Sequence, residues 1–396
     1  MTQYVSGYTP AREKLAGALT LFALIFAFVI ANTPFYEIYW FIHHTPVSVR
    51  IGEFGIDKPL ISWINKGLMV FFFLLIGLKI KREIFEGQLA GLRQLALPAM
   101  AALGGMVVPA IIYLIINGGD PVIAHGWAIP MATDIVLALA ALSLLRGRVP
   151  ESLFLFLAAL AVFDDVGAIL VIALFYPETL SVPALIFATV GVAALIMLNR
   201  FKVTAITPYV LVGTFLWVAL LNSGLHATLA GIVVALAFPL DGNPKNISRS
   251  PMKDLERSLH PWVTLGIVPL FAFFNAGIVL PELNVDVFYT PLTLGIVLGL
   301  FLGKQIGIFG MSWLAVRLKI SRLPDDVTWT HMYGIALLAG IGFTMSLFIT
   351  TLAFTDTELL AIARFAIIIG SFLSVITGLV VLSLINNLKK RDESGI

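Results

Sequence analysis

The chain has 396 residues, of which 59% are hydrophobic and only 12% are charged, and its formal net charge is +2. Its mean hydropathy is +0.98, whereas soluble domains carry roughly 25% charged residues. This composition excludes an ordinary soluble domain, and we expect no nucleic-acid partner. Because the chain has no cysteine, disulfides, thiol catalysis and cysteine metal sites are also excluded.

Apolar runs long enough to cross a bilayer recur along the whole chain, and they predict an all-α polytopic membrane protein with about twelve spans. The predicted spans begin near Leu15, Leu60, Leu95, Val122, Ser152, Val182, Val203, Thr228, Pro261, Thr290, Trp329 and Leu360. No small-residue cleavage site follows the first run, which favours a retained anchor over a signal peptide. The connections are short and contain no polar linker, so we expect one transmembrane domain over residues 1–396.

Lysine and arginine are distributed unevenly among the predicted loops. With a cytoplasmic N-terminus, the outside segments contain only Arg50 and Lys58, and nearly all other loop cations lie inside. This excess is typical of cytoplasmic loops, so both termini are predicted in the cytoplasm, with residues 387–396 as a tail. The longest outside loop is residues 33–59. Its stretch "VSVRIGEFGIDK" is compatible with a β-hairpin around Gly52–Gly55 or with an irregular surface loop.

Two predicted spans are interrupted. The fourth contains "HGWAIPMATDIVLAL", in which Pro130 removes a backbone donor. The eleventh contains "GIALLAGIGFTMSLF", in which Gly340 and Gly342, with Thr344 and Ser346, weaken the helix. Broken backbone at membrane depth persists only where protein or water satisfies it. In secondary transporters, interruptions in both halves of a chain indicate a substrate site between inverted repeats.

Few ionisable residues are predicted at membrane depth, and they are Lys66, Asp134, Asp164, Asp165, Lys304 and Arg364. Each costs about 2.5–3.5 kcal/mol at a helix centre. Asp134 directly follows the first interruption, where it can balance helix-end dipoles. Asp164 and Asp165, in "AVFDDVGAIL", point about 100° apart on a helix. We therefore expect one of them to meet a lysine and the other to face a cavity.

A purely structural role is the alternative for these charges. A buried ion pair that only fixes helix packing explains one acid with one lysine, but explains three acids poorly, since buried pairs are weak stabilisers. Arg364, near the outer end of its span, is expected to extend to the interface. Lys66 lies deeper and has no assigned partner. His226, in "NSGLHATLAG", is interpreted as a satisfied polar residue rather than a ligand or proton relay.

Six motifs in this order, "GWAIPMATDIVLAL", "FDDVGAIL", "SGLHATLAG", "LFAFFNAGI", "GKQIGI" and "GIGFTMS", closely resemble the NhaA family of bacterial sodium–proton antiporters. The resemblance covers nearly the whole chain. It implies a secondary transporter rather than an enzyme, with twelve helices. The third to fifth and tenth to twelfth spans would form inverted repeats, whose discontinuous helices, spans 4 and 11, cross at mid-membrane.

The resemblance also assigns roles to particular residues. Asp164 and Asp165 would bind the cation and the protons, Thr133 and Asp134 would lie at the crossing, and Lys304 would pair with Asp164. Na⁺ would contact Asp164, Asp165 and Thr133 transiently, and no resident cofactor is expected.

A second group of residues would serve the response to pH. The family associates Glu256 and His226 with it, and "KREIFEG", which contains Glu83, resembles a contributing cytoplasmic region, as does "LERSLHPW". The well-known members have glutamate in place of Lys79 and aspartate in place of Lys66. The first departure concerns the pH of activation, and neither affects the expected ion site.

The implied activity is export of Na⁺, and also Li⁺, in exchange for protons by alternating access. We expect it to be electrogenic and pH-regulated, with a role in sodium and pH homeostasis, in the bacterial inner membrane. The expected partners are these ions, membrane lipids and a second copy of the chain, with residues 47–58 as a candidate dimer contact.

Three other classes of protein are compatible with acids in a membrane. An intramembrane aspartyl protease needs two aspartates that face each other. The adjacent pair Asp164 and Asp165 cannot do so, whereas Asp134 and Asp165 could. No Gly-x-Gly-Asp motif precedes either residue. A sodium–solute symporter is the nearer alternative, and it would require an organic substrate for ion movement. A structural membrane scaffold would not need an acid cluster at mid-membrane.

Overall fold

The computed structural model describes residues 10–52, 54–86, 92–240, 250–279 and 285–394, which are almost entirely helical. The elements in the first half are Pro10–Ala31, Tyr36–His44, strands Pro46–Ile51 and Phe54–Pro59, Leu60–Trp63, Ile64–Leu68, Met69–Glu86, Leu92–Asn117, Pro121–Ala124, His125–Met131, Ile135–Ser143, Glu151–Phe175 and Val182–Arg200. Those in the second half are Ile206–Leu221, Leu229–Ala237, Pro251–Trp262, Val263–Ile267, Val268–Asn275, Val285–Tyr289, Pro291–Leu298, Gly299–Gly303, Gln305–Phe309, Gly310–Arg317, Trp329–Leu338, Phe343–Ala353 and Thr357–Ser394.

The all-α polytopic fold is confirmed. Within the described ranges, eight helices are long and apolar enough to span a membrane, or ten if each of two bent pairs is one span. The bent pairs are the two spans predicted to be interrupted, with angles of 40° and 46° at their breaks. Two shorter helices, Ile206–Leu221 and Leu229–Ala237, occupy the remaining predicted positions. Their length alone does not make them spans, so the count of twelve stays a prediction.

One predicted helix start differs from the structure. The ninth span was expected to begin near Pro261, but the helical segment begins at Pro251 and Pro261 lies inside it. A proline removes a hydrogen-bond donor and crowds the preceding turn. Here a wide π-helical turn, Val263–Ile267, follows at once, and such local widening lets membrane helices accommodate proline.

The described residues form two compact units. Within the described ranges, the first consists of residues 23–86 and 169–274, and the second of residues 10–22, 92–168 and 275–394. In the second unit, Gly104 and Gly307 bring two helices into backbone contact, since a Cβ on either would lie 2.1 Å from the carbonyl oxygen of the other. Small residues at such points permit close packing of membrane helices.

In the first unit, side chains cap the short helix Leu229–Ala237. The last carbonyls of a helix have no partner within it. Here the buried Lys81 Nζ donates to the carbonyls of Leu236 and Phe238, each at 2.5 Å, and Asn199 Nδ2 donates to that of Ala237 at 2.6 Å. A cation at this end also interacts favourably with the helix dipole.

Lys81→Met is therefore expected to destabilise the protein. Two carbonyls would lose their donor, and the one on the buried Phe238 would be left unsatisfied, which costs about 1–3 kcal/mol for a buried group. The thermal unfolding midpoint of the purified protein measures the effect, and the exposed Lys58 provides the control substitution Lys58→Met. Equal midpoints for the two variants would show that the Lys81 bonds contribute nothing.

Residues 46–59 form an antiparallel β-hairpin, which was one of the two alternatives left open for this loop. Its register runs from Pro46 opposite Pro59 to Ile51 opposite Phe54. Gly52 begins the connection with a φ of +62°, which glycine adopts without steric cost.

Candidate ion site at the meeting of two broken helices

Two interrupted helical segments meet in the second unit. We call their meeting point the crossing, formed by residues 125–143 and 329–353. Its backbone groups bond from one segment to the other: Asp134 N donates to Ile341 O at 2.6 Å, and Thr133 Oγ1 donates to Ala339 O at 3.0 Å. Each break is thus satisfied by the other chain segment, as backbone at membrane depth requires.

Asp134 caps two helices with one carboxylate. Its Oδ1 accepts from Leu137 N at 3.0 Å, and its Oδ2 accepts from Thr344 N at 2.9 Å and from Thr344 Oγ1 at 2.6 Å. Leu137 lies in the first turn of Ile135–Ser143, and Thr344 in the first turn of Phe343–Ala353. A buried negative charge therefore lies at two helix N-termini, where the helix dipole favours it. This agrees with the position expected from the sequence.

Asp164 and Lys304 form a buried ion pair beside the crossing. Lys304 Nζ lies 3.2 Å from Asp164 Oδ1, and the two side chains are 0% and 2% exposed. Lys304 Nζ also donates to Thr133 Oγ1 at 2.8 Å and to the carbonyl of Met131. Thr133 N completes the cluster by donating to Asp164 Oδ2 at 2.6 Å. The structure thus brings together Asp164, Lys304 and Thr133.

The backbone around Lys304 is unusual. Two wide π-helical turns, Gly299–Gly303 and Gln305–Phe309, flank this residue on either side. Such turns inside α-helices are often found at functional sites. Gly105 faces the lysine, since a Cβ there would lie 3.6 Å from Lys304 Cδ. The lysine stem is therefore enclosed by the opposing helix.

Asp165 follows Asp164 on the same helix and is also buried. It is close enough to Lys304 for an electrostatic interaction, although its position on the helix turns it about 100° from Asp164. Nowhere in the described ranges do three His, Cys, Asp or Glu side chains converge as a metal cluster would. The oxygens gathered beside Lys304 are those of the Asp164 carboxylate, the Thr133 hydroxyl and the Met131 carbonyl, and oxygen donors of these kinds suit a hard ion.

The residues expected to serve the pH response lie in the first unit. Arg82 joins the motifs "KREIFEG" and "LERSLHPW", since its Nη1 lies 2.5 Å from Glu256 Oε1 and its Nη2 lies 3.3 Å from Glu83 Oε1. His226 is not part of this group. Its Nε2 lies 2.8 Å from the carbonyl oxygen of Tyr176 in a buried loop, so one ring nitrogen has a hydrogen-bond partner.

The environment of His226 predicts a pH dependence of stability. Burial lowers the pKa of His226 below its ordinary value of 6.5. The unfolded chain then binds the proton first, so stability is lost as pH falls below about 6.5. His226→Gln keeps a donor for the Tyr176 carbonyl and does not titrate. Its thermal midpoint should fall less between about pH 7.5 and about pH 5 than that of the unmodified protein.

The exposed His44 is the matched control for this measurement. His44→Gln should retain the full pH dependence. If His226→Gln and the unmodified protein lose stability in parallel, titration of His226 does not contribute.

The structure describes the surroundings of two further cations. Lys66 was expected at membrane depth and had no assigned partner; its side chain is 43% exposed and its Nζ lies 3.4 Å from Glu178 Oε1. Lys66 lies within two turns of the helix start at Leu60, at the end facing the Glu178 loop. Arg364 is half-buried, and its extension to an interface stays a prediction.

Two partners at the site could not be predicted from the sequence. The Met131 carbonyl bonds Lys304 because the helix breaks there, and no side chain signals such a bond. Thr344 was noted only as a weak helix former, yet it donates twice to Asp134. The usual cap signal is a side-chain oxygen that accepts from its own helix, so it does not identify a hydroxyl that donates to a carboxylate on another segment.

Comparison with known proteins connects this geometry to a family. A family model described as Na⁺/H⁺ antiporter 1 matches residues 9–382. The chain belongs to this family. The relatives named Na(+)/H(+) antiporter NhaA include that of Maricaulis maris (strain MCS10), 52% identical over 369 residues, 93% of this chain and 91% of the relative. Another, from Shewanella sp. (strain W3-18-1), is 49% identical over 370 residues, covering 93% and 94%.

A third NhaA relative, from Sulfurovum sp. (strain NBC37-1), is 46% identical over 378 residues, covering 95% of this chain and 96% of its own. The resemblance stated from the motifs is thus confirmed. Members of the Na⁺/H⁺ antiporter 1 family are secondary transporters, so the chain is a multi-pass membrane protein and not an enzyme.

Proposed function

We propose that this protein exchanges Na⁺ for protons across a membrane, and that Asp164, Asp165 and Thr133 bind the transported Na⁺. The buried Asp164–Lys304 pair beside the crossing is the observation that carries the proposal. Intramembrane acids generally mark ion or proton paths. Membership of the Na⁺/H⁺ antiporter 1 family supports the choice of ions.

The exchange follows from competition for the same oxygens. A carboxylate that holds a proton has lost the charge that binds Na⁺, and one that holds Na⁺ excludes the proton. In the described structure Lys304 occupies the Asp164 carboxylate, so Na⁺ binding requires Lys304 to move away or rearrange. Alternating access then requires only that the site is reachable from one side of the membrane at a time.

The charge balance makes the exchange electrogenic in this proposal. If Asp164 and Asp165 both release protons when one Na⁺ binds, each cycle moves net charge. The membrane potential supplies about 2.3 kcal/mol per elementary charge per 100 mV. It can therefore drive Na⁺ out of the cell against its gradient.

Several finer features extend this proposal. The protein resides in the bacterial inner membrane as one antiporter domain with both termini cytoplasmic, and it also carries Li⁺ and supports sodium and pH homeostasis. Lipids surround a homodimer in which the hairpin contributes the contact, because its strand edges are open to pairing. Glu256, Glu83 and His226 adjust activity to pH; the Arg82 bonds to both glutamates support this for the first two.

Proton flux in everted vesicles or proteoliposomes tests the function. A pH-sensitive dye trapped in the lumen should respond to Na⁺ and Li⁺ but not to K⁺, without any organic substrate, across a range of pH. Glu256→Gln should shift the pH of half-maximal flux. A requirement for an organic substrate would instead indicate a symporter, and a lack of any Na⁺ response would contradict the proposal.

A further inference from the structure

A large apolar cavity lies in the first unit. Its volume is about 690 Å³, within the range of about 300–1,000 Å³ typical of ligand sites. Helical stretches 60–74, 209–217, 230–234 and 270–274 line it, almost wholly with apolar side chains. Phe71 and Val210 on its wall are exposed on the surface of the chain, so the cavity is accessible from outside.

The residues that line the cavity follow one helix over several turns. It extends from Leu60 to Leu74, about 21 Å at about 1.5 Å per residue. One leaflet of a bilayer has a hydrocarbon depth of about 15 Å. The helix is long and apolar enough to span the membrane, so its length runs through the hydrocarbon layer. Since the cavity is longer than one leaflet is deep, it can hold an extended acyl chain.

One end of the cavity is amphipathic. Trp63 and Trp217 lie there with ring centroids 5.9 Å apart. Their indole nitrogens donate to the carbonyls of Val47 and Lys66 at 3.1 and 2.7 Å. Tryptophan is enriched at the membrane–water interface. This end of the cavity is therefore the one expected at headgroup level.

Two opposite charges lie at the same end. The exposed Lys66 precedes the cavity-lining Gly67, and its ammonium lies 3.4 Å from the carboxylate of Glu178, which is 67% exposed. An exposed pair of this kind is worth little by itself. It can therefore open to bind a group that carries both charges. A phosphoethanolamine headgroup has this pattern, with a phosphate for Lys66 and a primary ammonium for Glu178.

We propose that this cavity binds one phospholipid with a phosphoethanolamine headgroup, with an acyl chain between the helices and the headgroup on Lys66 and Glu178. Lipid tails fill the cavity because an empty apolar space forfeits dispersion contacts. The two side-chain charges then select among headgroups. This site is independent of the exchange of ions proposed above.

Gly67→Leu tests the chain-binding part. A Cβ on Gly67 would meet nothing closer than the rings of Trp63 and Trp217 at 3.9 Å, so a larger side chain would extend into the cavity. Gly266→Leu is the matched control, since Gly266 also lies in a π-helical turn and has open space around its Cβ position. Native mass spectrometry with added phosphatidylethanolamine should show one bound lipid for the control and roughly tenfold less for Gly67→Leu.

The headgroup part is tested with phosphatidylglycerol, which is anionic and lacks the ammonium. The unmodified protein should retain phosphatidylethanolamine roughly tenfold better. The exposed double variant Lys66→Gln, Glu178→Gln should bind both lipids equally. Undiminished lipid binding by Gly67→Leu, or an equal affinity of the unmodified protein for the two headgroups, would overturn the proposal.

Discussion

Asp164→Asn is expected to abolish sodium-dependent proton flux and to destabilise the protein at the same time. The fully buried Lys304 would lose the carboxylate that lies 3.2 Å from its Nζ. Removing one partner of a buried ion pair typically costs about 3–5 kcal/mol, because the remaining charge is uncompensated. Flux in proteoliposomes should fall to the level of protein-free liposomes, and the thermal midpoint of the purified protein should fall as well.

Asp165→Asn separates transport from stability. The Asp164–Lys304 pair stays intact in this variant, so the thermal midpoint should change much less than in Asp164→Asn. Flux should still be lost, because a neutral amide cannot replace a carboxylate that must hold either a proton or Na⁺. Glu151→Gln, an exposed change at the start of the same helix, should keep full flux. Retained sodium-dependent flux in Asp165→Asn would refute its role as a ligand.

Asp134→Ala is expected to be among the most destabilising substitutions in the chain. Three donors would lose their acceptor: the N–H groups of Leu137 and Thr344, and the Thr344 hydroxyl. Each unsatisfied buried group costs about 1–3 kcal/mol. We therefore expect a loss of about 3 kcal/mol or more, read as a lowered thermal midpoint and a loss of correctly folded protein in detergent.

Two further variants show whether the loss of stability in Asp134→Ala comes from the two helix caps. Asp134→Asn keeps one oxygen, so it can serve one helix start but not both, and its stability should lie between the unmodified protein and Asp134→Ala. Asp326→Ala removes an exposed carboxylate that accepts only at the surface, from Ser152, and should change stability by about 0.5 kcal/mol at most. Similar losses for Asp326→Ala and Asp134→Ala would contradict the role of the caps.

Much of the fold follows from patterns that are local in the chain. Hydropathy placed a helix at each of twelve positions, since a helix in lipid must satisfy its own backbone within a single run. The two interruptions were predicted because Pro130 and the glycine pair weaken a helix locally. This signal does not always produce a break, since Pro98 and Pro109 lie inside the continuous helix Leu92–Asn117. The start at Pro251 was missed because the π-helical turn that accommodates Pro261 depends on backbone widening, which has no side-chain signature.

The chemical type of the site residues could be predicted from the sequence, but the direction in which each side chain points could not. Residue type and depth indicated that an acid would meet a lysine, but the choice of Asp164 came from family resemblance, because helical rotation alone does not say which neighbour faces the partner. No partner was predicted for Lys66, because Glu178 is distant in sequence and becomes its neighbour only in the folded chain. Backbone acceptors, such as the Leu236 carbonyl that bonds Lys81, become visible only when the helices are packed.

The double cap of Asp134 has a consequence for movement. The Asp134 carboxylate joins the helix starts of the two interrupted segments. Any motion that separated these helix starts would leave two N–H groups and a hydroxyl in the buried interior without an acceptor. We therefore expect this junction to act as a fixed pivot throughout the working cycle. Rearrangement would then be concentrated in the Lys304 side chain and the helix that carries it.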